Sequence, residues 1–140
     1  MTGDVRHKNM ASSFVFTCDR CGYSIEAWDE GNPYIEFPAG NRHFFYHPGE
    51  MEEIRNITRK IIGREPTRED CDSALKQFSG NETDYICRTC QMESRFDPRK
   101  DPHACKHCGS SDVVAIFTLT GKKCIKCEGT FSEGKFACIS

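Results

Sequence analysis

The 140-residue sequence is short of the material from which a large apolar core is made. Only 37% of it is hydrophobic, it has a single tryptophan, and its mean hydropathy is −0.61, so burial alone supports a modest core. No apolar run approaches the ~20 residues that cross a bilayer, so the sequence predicts no transmembrane helix and no membrane partner. Residues 1–13, MTGDVRHKNMASS, lack both periodicity and an apolar segment of signal-peptide length, and are expected to form a disordered tail. Catalytic signatures are missing as well. There is no glycine-rich phosphate loop, no HExxH and no nucleophile elbow, so the expectation is a protein that is not an enzyme. A strong positive balance is also absent. With 19 basic and 21 acidic side chains the formal net charge is −2, which argues against a broad phosphate-gripping surface.

Cysteine is what the chain has in excess. Ten cysteines in 140 residues mean either a secreted disulfide scaffold or an intracellular metal protein. Without an apolar leader in residues 1–13, the second is expected, in a reduced cytoplasmic setting. Eight of the ten form four CxxC pairs: Cys18/Cys21, Cys87/Cys90, Cys105/Cys108 and Cys124/Cys127. Two residues between cysteines let both sulfurs face one concavity, and zinc binds four such ligands tetrahedrally, with Zn–S near ~2.3 Å. A thioredoxin-like redox pair would open a helix, and none of these pairs precedes a helical pattern. Four pairs therefore predict two closed four-thiolate sites and two Zn2+ ions, with iron as the alternative metal. Because bound cysteines are thiolates, two such sites would take the net charge from −2 to about −6.

The periodicity divides the chain. Residues 14–48 read as an N-terminal β segment, with FVFTCDRCGYSIEAW alternating about the first knuckle and PYIEF and RHFFYH flanking the turn PAGN. Residues 49–80 change to helical spacing. Met51, Ile54, Ile57 and Ile61 line one stripe that Gly63 should end; Cys71, Ala74, Leu75 and Phe78 line a second, opened by a T-x-x-D box at Thr67 and stopped at Gly80. Strand patterns return in residues 81–140, which hold three of the CxxC pairs and the apolar run VVAIFTL. The fold class expected is a small metal-stabilised α+β protein, with short antiparallel strands forming two knuckle sites and a helical pair inserted, all as one composite domain. Glycine after the second cysteine suits a knuckle, where the backbone turns to positive φ; Gly22 and Gly109 fill that place, Gln91 and Glu128 do not.

Three pairings of the knuckles satisfy the spacing: Cys105/Cys108 with Cys124/Cys127 in tandem, Cys87/Cys90 with Cys105/Cys108 nested inside the other two, or an interleaved set. YICRTCQMESRFDPRKDPHACKHCGS resembles the rubredoxin-like ribbons of rubrerythrins and of small FmdB-type bacterial regulators, over about a fifth of the chain. CKHCGSSDVV with GKKCIKC also resembles transcription-factor zinc ribbons, and CGYSIEAWDEGNPY is similar to uncharacterised bacterial proteins. As first halves of such ribbons, Cys18/Cys21 and Cys87/Cys90 should not share an ion. The nested arrangement is therefore expected, with Cys87, Cys90, Cys105 and Cys108 in one site and Cys18, Cys21, Cys124 and Cys127 in the other, while the tandem pairing stays open.

The remaining candidates have simpler readings. Cys71 is expected as a small buried hydrophobe and Cys138 as a free thiol. His43 and His47 should lie on the exposed side of a hairpin, and His103 and His107 should face solvent. Trp28, Tyr34, Phe44, Phe45 and Tyr46 are read as core, though a stacking or docking patch would have the same composition. Arg95, Arg99, Lys100 and Lys106 are the best candidates for phosphate contact. The function expected is a small zinc-ribbon adaptor that presents a surface to a protein partner. Rubredoxin-like iron electron transfer and a nucleic-acid-binding ribbon are the rivals.

Overall fold

A computed structural model describes residues 11–46 and 49–139; the residue-1–10 part of the expected tail, and His47, lie outside the described residues. The protein is a small α+β fold of antiparallel strands and two helices, divided into two compact units. Asn32–Glu82 forms one unit, and the chain on either side, up to Gly31 and from Thr83, forms the other. The insertion thus begins at residue 32, taking in a hairpin as well as the helices, where the sequence pattern began it at 49.

In the cysteine-rich unit, β1 (Ser12–Thr17) pairs antiparallel with β2 (Ser24–Trp28) across the first knuckle, Phe16 standing opposite Ile25. On its other edge β1 pairs with β8 (Lys135–Ile139), so both ends of this unit's chain meet in one sheet. The second half of β5 (Ser79–Cys87) pairs with β6 (Glu93–Phe96) and with β7 (Val113–Ala115). Strand alternation then sorts the side chains. Ile86 joins a core of Phe16, Ile25, Ile116, Leu119 and Phe131, whereas Tyr85 and Cys87 face a second core with Phe96 and Val113. The apolar run expected as one strand is instead β7 followed by a 3-10 turn, Ile116–Thr118, which sends Ile116 and Leu119 into the first core, both fully buried.

In the helical unit, β3 (Asn32–Glu36) and β4 (Arg42–Phe44) form the hairpin, turned at Gly40, and β3 also pairs with the first residues of β5. Helix α1 (Glu50–Ile62) carries Glu50, Glu52 and Glu53 in its first turn and Arg59 and Lys60 in its last, as the helix dipole favours. It ends where expected, with Gly63 at φ 77° donating its N–H to the Arg59 carbonyl at 2.8 Å. Helix α2 (Arg68–Phe78) starts at a full capping box, Thr67 Oγ1 accepting from the Asp70 N–H and Asp70 accepting from the Thr67 N–H. Its end differs from expectation. Gly80 is no stop: the chain turns extended at Ser79 and passes straight into β5, because Gly80 is paired with Tyr34 of β3. Ile54, Ile57 and Cys71 pack on Ile35 to make this unit's core, while Met51, placed on the same stripe, is 64% exposed. Of the five aromatics read as core, only Tyr34 is fully buried; Tyr46 is half-exposed, and Trp28 belongs to the other unit.

Candidate metal centres

Each CxxC sits where a strand or turn doubles back. The first cysteine of the pair donates its N–H to the carbonyl five residues on: Cys18 to Tyr23 at 2.8 Å, Cys87 to Met92 at 3.0 Å, Cys105 to Ser110 at 2.8 Å and Cys124 to Gly129 at 2.8 Å. That hydrogen bond forces a tight loop in which N–H groups point inward at sulfur. Cys18 Sγ accepts from the Arg20 and Cys21 N–H groups at 3.4 and 3.5 Å, and Cys87 Sγ from that of Cys90 at 3.4 Å. Cys105 Sγ accepts from His107 at 3.3 Å, Cys124 Sγ from Lys126 at 3.3 Å and Cys127 Sγ from Gly129 at 3.2 Å. Such donors spread the charge of a thiolate. Closing the loop needs positive φ three times, at Gly22 (80°), Gln91 (65°) and Gly109 (78°). Gln91 is the one non-glycine residue with positive φ among the described residues. The fourth knuckle is different. Gly129 is needed for closeness, since a Cβ there would lie 2.6 Å from Arg20 Cβ and 2.7 Å from Cys18 Sγ.

The four knuckles assemble in twos, in the nested arrangement. Cys87, Cys90, Cys105 and Cys108 form an inner quartet and Cys18, Cys21, Cys124 and Cys127 an outer one, each with all four sulfurs within 4.8 Å of one another. Sulfur separations are 3.6 Å for Cys87–Cys108, 3.5 Å for Cys90–Cys105, 3.4 Å for Cys18–Cys127 and 3.8 Å for Cys21–Cys124. A tetrahedral ion with bonds of ~2.3 Å sets its ligands ~3.8 Å apart, so each quartet has the dimensions of a four-thiolate site. Partner knuckles are also tied outside the sulfurs. In the inner quartet the Arg88 N–H donates to the Asp112 carbonyl at 2.9 Å, and the Thr89 and Ser110 hydroxyls meet at 2.9 Å. In the outer one, Asp19 and Thr130 exchange bonds of 2.9 and 3.1 Å. The first cysteine of every pair is buried in the core; among the second cysteines, Cys21 and Cys108 are exposed.

The thiols do not ionise alike. Cys18 is drawn down to about 6, chiefly by the Cys21 N–H against the opposing effect of burial. Burial pushes Cys105 up, but the Ser94 hydroxyl, the Cys108 and His107 N–H groups and the Cys90 thiol outweigh it and leave it at about 6. In the same quartets Cys90 is held at about 12, first by burial and then by its thiol neighbours. Cys127 also reaches about 12: the Gly129 N–H lowers it, and burial with the thiols of Cys18, Cys21 and Cys124 more than reverses that. Each quartet thus yields one proton readily and withholds another, as four close sulfurs sharing charge must. A divalent cation relieves that repulsion. The donor set, all sulfur and closed, fits zinc or iron and suits neither calcium nor magnesium.

Comparison with protein-family models, curated proteins and solved structures finds no match.

The other sequence candidates stand apart from both quartets. Cys71 is buried in the helical unit, and exposed Cys138 meets the Ser13 hydroxyl at 3.3 Å. His43 stacks on Phe37 at 4.2 Å, exposed His107 meets the Glu93 carbonyl at 3.0 Å, and exposed His103 packs edge-on against Tyr85 and Phe96. Arg95 is paired with Asp84 at 3.0 Å. Sequence reasoning passed over Ser94. Ser94 is buried, donating its hydroxyl to Cys105 Sγ at 3.6 Å while accepting from the Lys106 N–H at 3.1 Å. Its position opposite Tyr85 on β6 gives no cysteine-like signal. Gln91, by contrast, was visible as the residue occupying a glycine's place.

Proposed function

We propose that the protein is a non-enzymatic zinc-binding adaptor, whose two ions are structural and whose surface engages another protein. One observation carries the reading: eight thiols fall into two closed quartets of tetrahedral dimensions, so that sulfur fills all four positions and leaves none for a water or substrate. Cysteines supply part of each core, so metal would complete packing that aliphatic side chains leave thin. Exposed Phe117 and Phe136, which both pack edge-on against Phe14, support a docking role for this unit. No helix among the described residues is long and apolar enough to cross a membrane. The test is elemental analysis of protein purified without added metal. Two zinc ions per chain are expected, and a chain that stays metal-free and folded in strong chelator overturns the proposal.

A second reading has its own support. Exposed Cys21 and Cys108 would give electrons a sulfur path to solvent if iron filled the same quartets. Red protein with a reversible one-electron wave would decide for iron.

A further inference from the structure

We infer that the two quartets load as a coupled pair, with Gln91 as the residue that joins them; this rests on the zinc reading above. The knuckle of Cys87/Cys90 and that of Cys124/Cys127 belong to different quartets, yet three side-chain hydrogen bonds cross between them. Gln91 donates from Nε2 to the Ile125 carbonyl at 3.1 Å and accepts at Oε1 from Lys126 Nζ at 3.2 Å. From the same knuckle as Gln91, Arg88 Nη1 donates to the Lys123 carbonyl at 3.2 Å. Both bonds of Gln91 therefore end inside the loop between Cys124 and Cys127. That loop carries both of the sulfurs that the Cys124/Cys127 knuckle gives to the outer quartet.

The backbone of Gln91 points to the same role. Glycine serves its φ at lower cost, and glycine is what Gly22 and Gly109 supply at the equivalent place in two other knuckles. A side chain kept at positive φ is explained by what it reaches, and this one reaches the neighbouring metal loop. Charge matters too. Each loaded four-thiolate zinc site carries a net −2, so two adjacent sites repel unless cations stand between them. Arg88 from one knuckle and Lys126 from the other meet that need, Lys126 being further held over the Tyr23 ring at 5.0 Å.

Chain connectivity alone would make the ions unequal and independent. Cys90 and Cys105 are separated by 14 residues, Cys21 and Cys124 by 102, and closing the longer loop is about 20-fold less favourable on a three-halves power law. Loading the inner quartet hardly shortens the outer loop, since 65 residues separate Cys21 from Cys87 and 15 separate Cys108 from Cys124. Any levelling of the two affinities must then come through the folded unit, in which the Gln91 bonds link the two knuckles directly.

The experiment is a zinc titration of the full, reduced, metal-stripped chain in competition with a chromophoric chelator, read as two stepwise constants. In the unaltered chain the second zinc should bind within about fourfold of the first, so that the junction supplies about fivefold, the low end of ordinary allosteric coupling. Gln91→Gly keeps the backbone shape and removes the bridge; it should still bind two zinc ions, with the gap widened to about 20-fold. Lys126→Gln, which leaves the Gln91 backbone untouched, should widen the gap in the same direction. Two zinc ions bound with a ratio that neither substitution moves would overturn the coupling. A chain that takes up no zinc would overturn the zinc reading beneath it.

Discussion

A methyl group at Gly129 has nowhere to go: it would overlap the Cys18 sulfur and the Arg20 side chain, inside the outer quartet. Gly129→Ala should therefore weaken zinc at that quartet, with an overpacking cost of about 1–3 kcal/mol, measurable by chelator competition. Gly109→Ala meets open space but keeps a φ of +78°, so it should cost about 1 kcal/mol of stability in a thermal melt and change zinc affinity less. Protons compete with the ion at the same sulfurs. Because Cys90 and Cys127 hold their protons up to about 12, zinc binding should strengthen with rising pH throughout the neutral range. Below about 6, where Cys18 and Cys105 also become protonated, the fall should steepen, as chelator competition at stepped pH will show. The eight cysteines were legible because CxxC is a local pattern whose chemistry needs no neighbours. Ser94 was not legible, because a serine opposite a tyrosine on a short strand looks the same whether or not a sulfur lies beyond it.

At the level of elements, the helices show where local signals suffice and where they fail. The Thr67 box and Gly63 do what their sequences say, since capping is settled within one turn. Gly80 does not, because pairing with β3 is a contact between residues 34 and 80 that no local window contains. The run VVAIFTL misleads for a related reason: periodicity marks it as buried, and only packing decides that it bends after Ala115. The Thr67 cap makes two predictions. Thr67→Ala should lose about 1 kcal/mol in a urea melt. The Arg64 guanidinium and the cap donors hold Asp70 down to about 2 from an ordinary 3.8. A depressed carboxyl stabilises the folded form above its unfolded value, so this contribution is intact at pH 5 and drains away between about 4 and 2. Helical circular dichroism of Asp70→Asn should show a shallower acid transition over that interval.

For the molecule as a whole, the two units differ in what holds them. Both quartets lie in the cysteine-rich unit, and Asn32–Glu82 has a core of its own around Ile35, Ile54 and Ile57. Strong chelator should accordingly abolish the tertiary near-ultraviolet signal of the first while the 222 nm helical signal of the second persists; loss of both together would contradict that independence. The nesting of the knuckles also sets a timetable for synthesis. The inner quartet is complete once Cys108 has left the ribosome, whereas Cys18 and Cys21, made early, wait for Cys124 and Cys127 across 102 residues. At ordinary elongation speeds that is a delay of roughly 5–20 s, in which two nascent thiols stand unmatched and open to oxidants or stray ions.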